Sequence, residues 1–215
     1  MRVDIWSDIG CPWCYVGKRR FENALAAFEH RADVEVVYHS FELDPSHPTD
    51  QTVAVTDLLM GKFGMSRSQV EVAEARLAST AAAEGLGYDH SRHAGNTFDF
   101  HRLAHWATAQ GKQQQLLDHA YAVHFGEAKS VHTVDALVEL AAGAGLDPDE
   151  ARAVLTDRDR YADDVRADEK QARDLGITGV PFYVLDMRYG ISGAQPTEVF
   201  AQALAQAHDK DAVPN

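Results

Sequence analysis

The chain has 215 residues, of which 45% are hydrophobic and 25% are charged. This composition is typical of a globular protein that can bury a core without covalent staples. The formal net charge of −13 creates a surface that repels phosphate backbones and anionic lipid headgroups. We therefore expect no nucleic-acid partner and no membrane partner, and no apolar run approaches the roughly 18 residues of a membrane span.

The N-terminal segment shows none of the features of a secretory signal. Met1 leads directly into an alternating segment, residues 2–8, and the two cysteines follow at once. This pattern predicts a cytoplasmic protein without a removable leader. Cytoplasmic thiols are kept reduced, and a bridge between Cys11 and Cys14 would close too short a loop to remove much chain entropy. We therefore expect these cysteines to carry a function.

The first fifty residues predict a strand, a helix and a second strand. Val3 and Ile5 alternate with polar neighbours, a period-2 pattern. An apolar stripe from Cys14 to Phe28 has helical spacing, and residues 33–43 are rich in β-branched and aromatic side chains. A crossover of this length implies that the two strands are parallel.

The rest of the chain changes character twice. Residues 52–175 show alanine-rich helical patterns and no convincing strand. Residues 180–193 predict a β-hairpin, followed by an amphipathic helix from Pro196 to about His208. The order βαβ, helices, ββα predicts an α/β fold in which residues 1–50 and 176–215 form one sheet domain. Residues 51–175 are then a large all-helical insertion subdomain.

The tetrapeptide Cys11-Pro12-Trp13-Cys14 lies where the first strand gives way to a helix. At a helix N-terminus, unpaired N–H groups and the dipole favour a thiolate, and the pKa of such cysteines is about 3.5–7.5. We therefore expect Cys11 to attack disulfides and Cys14, one turn further in, to be buried, protonated and able to resolve a mixed disulfide. Pro12 suits the first helical turn, and Trp13 is expected to be exposed beside Cys11.

A second motif, Gly179-Val180-Pro181-Phe182, precedes the C-terminal hairpin. A bond between a residue and a following proline can be cis at modest cost. A cis Val180–Pro181 bond would hold the Val180 backbone beside Cys11 and offer it to an extended substrate. An ordinary trans proline entering an edge strand is the alternative, and the cysteine motif favours the cis interpretation.

The segments 11–18 and 179–182 resemble those of the DsbA-like thioredoxin superfamily, particularly its FrnE-type members, and the resemblance covers essentially the whole chain. It implies a thioredoxin-like fold, with Cys11 as the attacking cysteine, Cys14 as the resolving one and Pro181 as the cis proline. The implied activity is that of a thiol–disulfide oxidoreductase or disulfide isomerase acting on protein or small-molecule disulfides. No cofactor is required, and glutathione or another low-molecular-weight thiol is a candidate co-substrate. We expect a monomer or a homodimer.

Two alternatives remain open. The same superfamily contains glutathione-dependent 2-hydroxychromene-2-carboxylate isomerases and kappa-type glutathione transferases, which typically present a serine at the first active-site position. The cysteines at positions 11 and 14 favour dithiol chemistry over that role. A non-catalytic metal-binding module is the other alternative, because the 11 histidines could complete a site. Structural zinc prefers four ligands and the chain has no further cysteine, so we expect no metal.

One stretch of the insertion, residues 96–103, resembles a segment that borders the active site in these relatives, where alanine is more usual than Phe100. We therefore expect residues 96–105 to approach Cys11, with Asn96 and His101 as candidate substrate-binding residues. For His101 a structural role is as well supported as a role in lining the cleft. His105 is expected to be a surface histidine or one whose ring is satisfied by hydrogen bonds.

Overall fold

The structure, a computed structural model, describes the backbone of residues 1–211 and the side chains of residues 1–209. The described residues form six strands: β1 (Arg2–Ser7), β2 (Glu35–Ser40), β3 (Thr52–Ala54), β4 (His93–Gly95), β5 (Phe182–Leu185) and β6 (Tyr189–Ser192). Four of them form one sheet in the order β2-β1-β5-β6. β1 is parallel to β2 and antiparallel to β5, and β5 is antiparallel to β6.

The helices are α1 (Pro12–Ala27), α2 (Val55–Phe63), α3 (Arg67–Ala83), α4 (Phe98–Ala109), α5 (Gln113–Tyr121), α6 (Val134–Gly143), α7 (Pro148–Thr156), α8 (Ala162–Asp174) and α9 (Thr197–Asp211). A π-helical turn extends α5, and α1 packs against α9. The order β1-α1-β2 followed by β5-β6-α9 confirms the predicted thioredoxin-like α/β fold. None of the helices in the described part is long and apolar enough to cross a membrane.

The insertion between β2 and β5 contains the helices α2–α8, but the prediction that it is all-helical was wrong in one place. β3 and β4 pair antiparallel, with Val53 opposite Ala94. Each strand has three residues, too few to show a period-2 pattern, and its partner is distant in sequence. One continuous apolar core contains residues of both the sheet and the insertion, including Ile5 and Leu103. The predicted domain boundaries stay a prediction.

Two helices of the insertion begin with capping side chains. Ser66 and Gln69 form a capping box, in which the Gln69 amide donates to the Ser66 hydroxyl and the Ser66 amide donates to the Gln69 side chain. At the start of α7, Asp147 accepts hydrogen bonds from the amides of Asp149 and Glu150. These contacts satisfy N–H groups that have no partner within the helix.

The close packing of α1 on the segment around β5 requires a glycine at position 17. A Cβ atom there would lie 2.7 Å from the Tyr183 hydroxyl oxygen, 3.1 Å from Pro181 Cγ and 3.3 Å from the Ala194 Cα. The first distance is shorter than real Cβ contacts allow. The absence of a side chain therefore lets α1, which begins next to Cys11, lie directly against the Pro181 segment.

We predict that Gly17→Ala lowers the free energy of unfolding by about 1–3 kcal/mol because the added methyl group overpacks this contact. The matched control is Gly61→Ala within α2, where nothing lies within 4 Å of the added Cβ. Alanine has the higher helix propensity, so the control should be stabilised by about 0.5–1 kcal/mol. Urea denaturation of both variants measures the difference, and equal shifts in the same direction would show that the contact at Gly17 is not close.

Candidate active site

The turn between β1 and α1 positions the two cysteines. Cys11 is the N-cap residue of α1 and Pro12 occupies the first turn. The Cys11 amide donates to the Asp8 carbonyl oxygen at 3.1 Å, and the Cys14 amide donates to the Cys11 carbonyl oxygen at 3.0 Å. Cys11 therefore lies at the helix terminus and Cys14 lies one turn inside it.

The second motif lies against the first. The Cys11 thiol donates to the Val180 carbonyl oxygen, with 3.5 Å between Sγ and oxygen. The peptide bond between Val180 and Pro181 is cis. Two segments at opposite ends of the chain thus meet at the Cys11 sulfur.

Both thiols are buried, with exposed fractions of 4% for Cys11 and 2% for Cys14. Burial raises the pKa of the Cys14 thiol well above its usual value, and its hydrogen bond with Cys11 and the charge of Cys11 raise it further. Desolvation has this effect because it disfavours the charged form. Cys14 is therefore a protonated thiol at neutral pH.

A cavity of about 650 Å³ opens beside Cys11. Cys11, Pro12 and Trp13 line one side of it, and residues of α2, α3 and the β3–β4 sheet line the other. Trp13 is 44% exposed, in agreement with the sequence analysis. Val180 also lines the cavity, so any molecule that reaches Cys11 from this side passes between the insertion and the α1 terminus.

The structure gives Asn96 and His101 contacts within the protein. The Asn96 side-chain amide donates to the His47 carbonyl oxygen at 3.0 Å, and its oxygen accepts from the Phe98 amide at 2.9 Å. His101 is buried, with Nε2 3.4 Å from an oxygen of the Asp8 carboxylate. Of residues 96–105, Thr97 is the one that lines the cavity. Substrate contact by Asn96 or His101 stays a prediction.

Phe100 and His105, the two other side chains discussed in residues 96–105, also contact groups of the protein. Phe100 belongs to the apolar core. His105 Nε2 lies 3.0 Å from the Asp168 carboxylate and 3.1 Å from the Ser40 hydroxyl, so this ring nitrogen has polar partners within the protein.

Asp8 is a residue of the site that the sequence analysis missed. Its carboxylate accepts from the Gly10 amide at 3.2 Å and from the Leu43 amide at 2.8 Å. Burial opposes its ionisation, but the nearby His101 and these amides outweigh burial and hold the pKa of Asp8 below its usual value. A negative charge therefore lies in the turn that carries Cys11. The signal available in the sequence was an acidic residue at the end of a strand, three positions before a cysteine.

Glu42 forms a second buried acidic centre. Its side chain is 1% exposed, and Arg166 donates to it and to Glu169, both at 2.8 Å. Burial and the neighbouring Glu169 raise the pKa of Glu42 to about 7. One of its oxygens has no hydrogen-bond partner among the described residues, so the ionised form is poorly compensated.

The comparison with family models agrees with this geometry. The model of the DSBA-like thioredoxin domain matches residues 2–205. The chain belongs to this family. Its members share the thioredoxin-like fold described above, and the alignment with the model includes both cysteines and the Val180–Pro181 segment.

Three solved structures show the range of relatives. A probable DsbA oxidoreductase from Streptomyces coelicolor is 57% identical, with a TM-score of 0.94 over 97% of this chain and 90% of that chain. A 2-hydroxychromene-2-carboxylate isomerase is 14% identical, with a TM-score of 0.72 over 99% and 98% of the two chains. The cytosolic disulfide reductase DsbM from Pseudomonas aeruginosa, solved with GSH, is 19% identical, with a TM-score of 0.65 over 97% and 100%. The last two share the fold.

We predict that replacing Glu42 by glutamine changes how stability depends on pH. A raised pKa means that the folded state binds the proton more tightly than the unfolded state, in which the pKa is near 4.5. The stabilisation by protonated Glu42 is therefore complete below about pH 4.5 and is lost as the pH rises to about 7. Relative to Glu42→Gln, the wild-type free energy of unfolding should fall across this window by about 2–3 kcal/mol. Urea denaturation at several pH values measures it, and a constant difference would contradict it.

Proposed function

We propose that this DSBA-like protein is a thiol–disulfide oxidoreductase in which Cys11 and Cys14 form the reacting pair. The observation that carries the proposal is the position of the Cys11 sulfur. It lies at the terminus of α1, 3.5 Å from the Val180 carbonyl oxygen and at the wall of a cavity, with Cys14 one turn behind it. A reactive cysteine needs access to substrate, and a resolving cysteine must reach the first sulfur while remaining shielded from solvent.

The exchange balances in two steps. The Cys11 thiolate attacks one sulfur of a substrate disulfide, so the substrate S–S bond breaks, a mixed disulfide forms and the second substrate sulfur leaves as a thiolate. Cys14 then loses its proton and attacks the Cys11 sulfur, which releases the remaining substrate thiolate and leaves a Cys11–Cys14 disulfide. The substrate gains two electrons and the protein loses them, and the reverse sequence oxidises a dithiol.

The residues around the pair have separate roles in this proposal. The high pKa of Cys14 keeps it a poor nucleophile until Cys11 is held in a mixed disulfide, which removes the charge of Cys11 from its surroundings. The Val180 backbone and the exposed Trp13 side chain border the approach to Cys11 and would contact the incoming group. No cofactor is required, and a low-molecular-weight thiol would serve as co-substrate.

The two alternative functions are less well supported. The isomerase neighbour shares the fold at 14% identity, and an isomerase of that type has no need for a resolving thiol such as Cys14. In the part of the chain that the structure describes, the group of side chains close enough together that they could hold a metal ion is His30, Asp33 and His208, which includes neither cysteine. A cytoplasmic location, FrnE-type membership and a monomeric or homodimeric state remain predictions.

We predict that Cys11→Ser abolishes disulfide exchange and that Cys14→Ser accumulates mixed disulfides. Only the first cysteine reaches the cavity, and only the second can release a substrate bound to it. Incubation of each variant with a small disulfide, followed by acid quenching and intact-mass spectrometry, measures the adduct. Both replacements are nearly isosteric, so each serves as the folding control for the other.

The opposite pattern, with adducts on Cys14 in the Cys11→Ser variant, would overturn the assignment of roles. Exchange that survives in both single variants would overturn the dithiol mechanism. Metal analysis of the purified wild-type protein tests the metal-binding alternative, and stoichiometric metal that both variants lose would establish it.

A further inference from the structure

One wall of the cavity beside Cys11 consists of apolar side chains that do not pack in the protein core. Leu58 and Leu59 of α2 face it and are half-buried, while Phe63, also lining it, is 63% exposed. None of these residues belongs to an apolar core cluster of the described residues. Helix α2 therefore presents its apolar face to the cavity rather than to the protein interior.

The opposite walls are apolar as well. Leu77 of α3 and Met65 line the cavity together with Trp13. The volume of about 650 Å³ lies within the range of roughly 300–1,000 Å³ that small-molecule sites occupy. Burial of apolar surface contributes about 25 cal/mol per Å², so an apolar ligand would bind here through contacts that the free protein does not make.

Four of the five charged side chains that line the cavity are paired with each other. The described lining contains three carboxylates and two cations: Asp8, Asp44, Glu74, Lys62 and Arg92. Lys62 contacts Asp44 at 2.7 Å and Arg92 contacts Glu74 at 2.8 Å. Arg92 and Glu74 are nearly fully buried, and breaking such a pair costs several kcal/mol.

The formal charge of the side chains that line the cavity is negative. With the lining histidine neutral, two positive charges against three negative charges leave a formal balance of −1, and the whole chain carries −13. An anionic substrate such as glutathione disulfide would meet no unpaired cation among these side chains. The charge of Asp8 is offset by His101, 3.4 Å away, and by the Gly10 and Leu43 amides. Charge complementarity therefore favours an uncharged ligand.

We propose that this cavity selects low-molecular-weight disulfides that carry an uncharged, apolar group, and that it directs their sulfur to Cys11. The group occupies the space between α2 and α3, and the disulfide lies beside the Val180 carbonyl oxygen. This inference rests on the proposed function. It names the substrate class of the same site and distinguishes that class from glutathione.

Three disulfides test the proposal: dibenzyl disulfide, bis(2-hydroxyethyl) disulfide and glutathione disulfide. For each disulfide, the rate constant for oxidation of the reduced wild-type protein is divided by the rate constant for oxidation of a free reference thiol by the same disulfide. This ratio removes differences in leaving-group reactivity. We expect the normalised rate for dibenzyl disulfide to exceed that for glutathione disulfide by at least about tenfold, because burial of one large apolar group is worth more than 1.4 kcal/mol.

Two variants locate the effect. Leu59→Asp places a charge in the apolar wall and should lower the ratio of the dibenzyl disulfide rate to the hydroxyethyl disulfide rate about tenfold or more. The matched control is Val72→Asp, an apolar residue that is 62% exposed on α3 and does not line the cavity. It should change neither rate. If Leu59→Asp lowers the denaturation midpoint, Phe63→Glu replaces it, because that side chain is already exposed.

The outcomes separate this proposal from the proposed function. Exchange with none of the three disulfides would overturn both. Exchange with bis(2-hydroxyethyl) disulfide, without preference for the dibenzyl compound or dependence on Leu59, would overturn only the proposed selectivity. Faster normalised exchange with glutathione disulfide, or with a disulfide-bonded peptide in a Leu59-dependent reaction, would assign the cavity to that substrate instead.

Discussion

The contact between α1 and the segment that precedes β5 sets the position of the Cys11 sulfur. An ideal Cβ atom at Gly17 would lie 3.1 Å from Pro181 Cγ and 3.3 Å from the Ala194 Cα. The glycine therefore allows the helix to pack directly against this segment. Because α1 is a continuous helix of 16 residues, this contact also fixes the position of its N-terminus, and Cys11 meets the Val180 carbonyl oxygen at 3.5 Å. A bulkier residue at position 17 would move the helix terminus away from the Val180–Pro181 segment.

A group of buried ionisable residues lies behind this contact. Asp8 is in the turn that carries Cys11, His101 lies 3.4 Å from it, and Glu42 adds a carboxyl group whose pKa is about 7. Such groups destabilise a protein unless their charges are compensated. The amides of Gly10 and Leu43 compensate Asp8, whereas Glu42 is compensated only in part. The protonation states on this side of the cysteine turn therefore depend on tertiary packing from the helical insertion.

The insertion also determines what surrounds the cysteines. A minimal sheet domain would leave the α1 terminus open to solvent, but α2, α3 and the β3–β4 sheet enclose a cavity beside it. The same helices supply apolar side chains and internally paired charges. In the proposed function, substrate selection is a property of the insertion, while the exchange chemistry belongs to the segments that carry Cys11 and Val180.

The amino-acid sequence by itself determined the local features. Period-2 and helical spacing predicted β1, α1, the C-terminal hairpin and the run of helices, because alternation and capping are properties of neighbouring residues. The Cys11–Cys14 spacing at a strand-to-helix junction likewise predicted a reacting pair, which is the pair of the proposed function. Only the tertiary structure decided the rest. The pairing of β3 with β4, the contact of Asp8 with His101 and the apolar wall formed by Leu58 and Leu59 join residues distant in sequence, and side-chain patterns along a chain do not specify which distant surfaces will meet.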